Sequence, residues 1–208
     1  MGHRVFISFK KEDSYYKAKI VKKLEAEGIQ VNHLDGNIPS NNIDTVMQEI
    51  RERWQGSTTV TIFLIGTHSS ELEGVDECGR NHQSFIIREL RSALADRNGN
   101  PRDGVLGVVL PTMEKKVYGG SYRCEHCHET ISIVNINDKT VIREFSMNYY
   151  LKSDSCGHYS EDGRFCVLCR YDEFMNDPEK FINRAYDKLK EPIAKHVKYR
   201  SITHEGKY

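Results

Sequence analysis

Ser57–Gly66 reads STTVTIFLIG, an apolar and β-branched run that stops at a glycine and a polar loop. That pattern predicts a strand buried on both faces, the kind that occupies the middle of a parallel sheet. Arg4–Phe9 (RVFISF) and Val105–Leu110 (VLGVVL) predict two more such strands, and Ile29–Leu34 (IQVNHL), which alternates, predicts a strand nearer an edge. Helical spacing fills the gaps. Tyr15–Glu27 sets Tyr16, Ile20, Val21 and Leu24 on one face, with Asp13 and Ser14 at its start and Gly28 at its stop. A second helix is predicted from about Asn42 to Gln55, and a third from Gln83 to Asp96 with Ile86, Leu90 and Leu94 turned inward. The βαβαβαβ alternation predicts an α/β protein, a flavodoxin-like parallel sheet with helices on both faces. The expected strand order is 2-1-3-4, open to a fifth strand.

Beyond Pro111 the character changes. Ile131–Ile136 and Thr140–Phe145, joined by Asn137-Asp138-Lys139, predict a β-hairpin. Pro178–His196 returns to helical spacing through Phe181, Ile182, Ala185, Leu189 and Ile193. The expected organisation is an α/β domain over residues 1–118, a small zinc-ribbon-like hairpin insert over 119–172, and a C-terminal helix over 173–208 that packs on the α/β domain.

Bulk composition excludes several classes. The 208 residues carry 30 basic and 30 acidic side chains, so no global field favours nucleic acid or a membrane surface. No apolar run approaches the roughly 18 residues of a membrane span. The start, MGHRVFISF, reads as neither a secretory signal nor a myristoylation site, so a cytoplasmic location is expected.

Cysteine spacing points to metal. Five of the six cysteines lie between Cys124 and Cys169, and Cys124-x2-Cys127 and Cys166-x2-Cys169 form two pairs. Each pair is able to present two thiolates to one tetrahedral Zn²⁺, and a site of four cysteines is closed and structural. Cys156, His158, His126 and His128 are spare ligands. Reduced, buried thiols are the alternative.

Polar residues cluster where the first three strands end, which in an open α/β sheet is the ligand crevice. Ser8, Phe9, Lys10 and Lys11 leave the first strand; His33, Asp35 and Asn37 leave the second; Thr67, His68 and Ser69 leave the third. Phe85 and Glu89 follow, four apart on one helical face. Neither GxGxxG nor GxxxxGK[ST] is present, so a Rossmann glycine turn and a Walker phosphate loop are unsupported.

Three of these pieces, RVFISF followed by KKED, TVTIFLIG, and the aromatic four residues before glutamate in FIIREL, resemble the Toll/interleukin-1 receptor (TIR) group in its bacterial TIR-like branch. Within it they look most like the signal-producing TIR-like subunit of Thoeris antiphage defence. The resemblance covers about residues 4–110, with none from 119 to 172. It implies cleavage of the nicotinamide–ribose bond of NAD⁺, with Glu89 as the catalytic residue and an ADP-ribose-derived nucleotide as the product that reaches a separate effector. It also implies self-association for activity. Phe9 and Phe85 would stack on nicotinamide or adenine, Lys11 would approach the pyrophosphate, and Ser8 and Asp35 would orient the ribose. Phe85 stands where tryptophan is common in the family, and the Thr67–Ser84 loop is long.

Two rivals stay open: a non-enzymatic TIR-like adaptor stabilised by zinc, and a nucleic-acid sensor built on the zinc hairpin. Phe9 and Phe85 as core aromatics, and Lys10 and Lys11 as a solvated loop, are the corresponding plain readings.

Overall fold

The computed structural model describes residues 2–32, 58–72, 84–96 and 101–199, with Ser84 and Phe85 described as backbone alone. Among these residues the strands are β1 (Arg4–Ser8), β2 (Gln30–Asn32), β3 (Val60–Ile65), β4 (Gly104–Val109), β5 (Tyr118–Arg123), β6 (Thr130–Val134) and β7 (Val167–Arg170). The helices are α1 (Ser14–Ala26), α2 (Ser84–Leu94), α3 (Glu114–Val117), α4 (Arg143–Tyr149), α5 (Tyr171–Asn176) and α6 (Pro178–Asp187). The helix expected from Asn42 to Gln55, and His33, Asp35 and Asn37, lie outside the described residues.

β2-β1-β3-β4-β7 is the order of a five-stranded sheet whose every neighbouring pair is parallel. The expected order is therefore found, and a fifth strand extends it. All six residues of β3 are buried, as are all six of β4, because both faces are covered. Alternation splits them between two cores. Ile62, Leu64, Leu106 and Val108 pack with Ile20 and Leu24 of α1 and Ile182 and Ala185 of α6. Phe63, Ile65, Val105 and Val109 pack with Ile86, Ile87 and Leu90 of α2 on the opposite face. Each such large side chain removed from water stabilises the fold by about 1.5–3 kcal/mol before entropy is counted.

The region after Pro111 departs from expectation in three ways. The hairpin forms from β5 and β6, so its first strand precedes the first cysteine pair. Thr140–Phe145 does not form the second strand: Thr140 ends a turn and Arg143–Tyr149 is α4. Val141, Ile142, Phe145 and Tyr149 fall at helix-like spacing and pack into the α2-side core, which rewards a helix there over an exposed strand. Finally, β7 comes from within the segment expected to be a separate insert. The insertion thus ends before Val167, and its middle part, residues 136–149, is a layer of the main body.

Candidate functional site

The site is built where parallel strands end and crossover helices begin. β1 terminates at Ser8, whose side chain is buried on the α2 side of the sheet. α2 lies across that end, and its apolar residues Ile86, Ile87 and Leu90 press it onto β3 and β4. Between them sits Glu89, only 8% exposed. Ser8 Oγ donates to Glu89 Oε2 at 2.6 Å. Burial pushes the Glu89 carboxyl up to about 7, and the Ser8 hydrogen bond partly opposes that rise. A carboxyl group half-ionised near neutral pH, in a dry position at the strand ends, is suited to acid–base work or to stabilising developing positive charge.

Across the same strand ends, Asp13 closes the 3-10 turn Lys11–Asp13 and is 4% exposed. Its carboxyl rests against Gly66, the residue after β3, where a Cβ would meet Asp13 Oδ2 at 2.2 Å. Any larger residue there would have to displace the Asp13 carboxylate. Burial raises the Asp13 carboxyl, and the positive potential of His68 offsets part of that. Sequence reasoning passed over Asp13 as a helix cap; it makes no side-chain cap bond. Its burial became visible only once β1 and β3 were side by side.

The remaining expected contacts divide. Lys11 is exposed in its 3-10 turn. Phe9 is partly buried against the α1-side core, with Lys17 Nζ 5.6 Å from its ring centroid. The side chain of Phe85 and all of Asp35 fall outside the described residues. A cavity of about 560 Å³ lined by Arg102, Glu191 and Lys195 lies at the other end of the sheet, next to the start of β4.

A second constellation sits in the insertion. Cys124, Cys127, Cys156 and His158 bring their ligand atoms within 4.8 Å of one another. Cys166 and Cys169 do not join them, which corrects the expected four-cysteine set. Residues three apart in extended chain point to opposite faces. Cys166, at the entry to β7, packs in the α2-side core, and Cys169, within β7, packs in the α1-side core. Burial raises both thiols well above their usual range. They are core residues.

Local structure prepares the other four. The backbone N–H groups of His126 and Cys127 point at the Cys124 sulfur and lower its thiol to about 7. His128, at φ 59, closes this turn with its N–H on Cys124 O at 3.0 Å. Opposite, Asp154 Oδ1 accepts from the backbone N–H of Cys156 and of His158, at 2.9 and 2.8 Å, while Gly157 takes φ 80 between them. Cys127 Sγ stands 3.9 Å from His158 Nδ1. Tetrahedral zinc with Zn–S of about 2.3 Å spaces its ligands by about 3.5–4 Å, so the residues fit a closed Cys3His centre.

A five-stranded parallel α/β sheet with a buried glutamate on the helix over the end of β1 is consistent with the TIR-like fold. Residues 6–77 match the family described as Thoeris protein ThsB, TIR-like domain, which is the family the sequence motifs indicate. The matched span holds Ser8, Asp13 and Gly66 and stops short of Glu89. No curated protein matches the chain. No described helix is long and apolar enough to cross a membrane.

Proposed function

We propose that the protein cleaves the nicotinamide–ribose bond of NAD⁺ and converts the ADP-ribose portion into a cyclic or conjugated signalling nucleotide for antiphage defence. The observation that carries this reading is the buried Glu89 carboxyl, held by Ser8 at the strand ends of a TIR-like sheet. Breaking an N-glycosidic bond builds positive charge on the ribose, as in glycoside cleavage. An ionised Glu89 fixed beside that carbon stabilises the charge more in a dry site than water would. Ser8 keeps one carboxylate oxygen in place, leaving the other to face the sugar. Asp35, Lys11, Phe9 and Phe85 remain proposed substrate contacts, and self-association completes the arrangement.

The test is release of nicotinamide from NAD⁺ by purified protein and by Glu89→Gln, each with and without phage-infected lysate. Turnover by the wild type alone supports the enzyme. Silence in every sample overturns it and leaves the adaptor.

The Cys124, Cys127, Cys156 and His158 cluster is proposed as a structural zinc site. With one nitrogen and three sulfur ligands it offers no open position for water, so its contribution is to cross-link the hairpin to the loop after α4.

A further inference from the structure

α4 belongs to the insertion, yet it is stitched to both elements that form the candidate mouth. From the β3 exit, Glu71 Oε2 accepts from the backbone N–H of Arg143 at 2.9 Å, at the first turn of α4. Ser70 Oγ donates to Asp138 O at 2.7 Å, and Glu71 N–H donates to Val141 O at 3.2 Å. From α2, Arg91 Nε donates to Glu144 Oε1 at 2.7 Å, with the two side chains 5% and 0% exposed. Arg91 follows Glu89 by two residues, so the two project from nearly opposite sides of α2. One side meets Ser8 and the sheet; the other meets the insertion.

We infer that Arg91 and Glu144 are a positioning pair, through which the insertion sets the rotation of α2 and so the placement of the Glu89 carboxylate. A buried ion pair gives little net stability against apolar side chains of similar size, but it tolerates few geometries. The apolar stripe of α2 fixes its depth on the sheet and slides more easily than a charge-assisted hydrogen bond stretches. Around Glu89, burial and the Ser8 hydroxyl account for its titration. From α2 itself the charged neighbours are Arg88 and Arg91, and from β1 the facing group is Ser8. Rotation of α2 would admit water to the carboxylate. This inference extends the proposed catalytic role of Glu89.

Arg91→Met alone leaves Glu144 buried without its cation and threatens folding. The decisive variant is therefore the double substitution Arg91→Met with Glu144→Met, which removes both charges together. Glu89 is followed by carbon-detected NMR of its carboxyl, assigned with Glu89→Gln, alongside NAD⁺ turnover. The double variant is expected to melt near the wild-type temperature while the Glu89 midpoint falls by about one unit or more, as water returns. Its kcat should fall about tenfold or more with KM within about threefold, the mark of lost transition-state placement. Arg91→Lys should recover part of kcat. An unchanged Glu89 midpoint overturns the inference whatever the activity, and so does a shifted midpoint with unchanged kcat. A shifted midpoint in a protein whose wild type never turns over NAD⁺ supports the pair and overturns the enzymatic reading instead.

Discussion

Ser8 Oγ and Glu89 Oε2 lie 2.6 Å apart, which ties the last residue of β1 to the middle of α2. This bond favours the ionised carboxylate, while burial favours the neutral acid and wins, leaving the group near 7. If catalysis needs the charged form, kcat/KM for NAD⁺ should rise between about pH 6 and pH 8 with a midpoint near 7. A profile flat across that range would exclude Glu89 as the group that titrates.

Removing the hydroxyl should move the profile in a known direction. Ser8→Ala deletes a donor to the charged form, so the midpoint should climb above that of the wild type. Turnover at pH 7 should fall, and raising the pH by about one to two units should recover much of it. Loss that no alkaline pH restores would mean Ser8 acts by contacting substrate rather than by setting the charge of Glu89.

Stability should respond with the opposite sense to activity. A folded carboxyl near 7 against an ordinary 4.5 means that the folded state holds a proton the unfolded state has lost. Its contribution is full below about pH 4.5 and is lost as pH rises through 7, a change on the order of 3 kcal/mol. Glu89→Gln, neutral at every pH, should escape that loss. At pH 8 it should melt no lower than the wild type while releasing no nicotinamide. A marked drop in melting temperature would assign Glu89 a structural role.

Metal content separates the two sets of cysteines. Cys156→Ser and His158→Ala should each reduce retained zinc by about tenfold or more after dialysis against a chelator. Cys166→Ser and Cys169→Ser should keep near one zinc per chain while lowering the melting temperature, because each buries a hydroxyl in an apolar core. Zinc lost from Cys166→Ser with its fold intact would restore the four-cysteine assignment.

Sequence legibility followed the strength of local pattern. β1, β3 and β4 were readable because both of their faces are apolar, and the order of alternating helices then constrained the sheet. Glu89 was readable as an acid among apolar neighbours, whereas its bond to Ser8 joins residues from distant parts of the chain and leaves no local trace. β7 was missed because four residues, VLCR, carry two features at once. Cys166-x2-Cys169 has the spacing of a metal turn, and nothing in one dimension distinguishes that from a strand sending two thiols to opposite faces. Cys156-Gly157-His158 was the weaker pattern, yet Asp154 and the glycine turn make it the partner of Cys124 and Cys127. Thr140–Phe145 alternated enough to resemble a strand; the contacts of Phe145 with Phe63 and Tyr149 decided for a helix.

Gly107 tests whether the insertion is part of the body. It lies in β4 on the α2 side, and a Cβ there would come within 2.5 Å of Phe145 Cζ and 3.0 Å of Leu168 Cδ1. Phe145 is fully buried, with Phe63 and Tyr149 centroids at 5.8 and 6.4 Å, so its ring has little room to retreat. Gly107→Ala should therefore cost about 1–3 kcal/mol by overpacking, although alanine is otherwise the better strand residue. A chain of this size would lose roughly 2–10 °C of melting temperature. Because Phe145 adjoins Glu144, displacing α4 should also weaken the Arg91 pair and depress turnover. Gly107→Ala melting at or above the wild type would mean that α4 yields freely, and the insertion would then be an appendage rather than a wall of the candidate mouth.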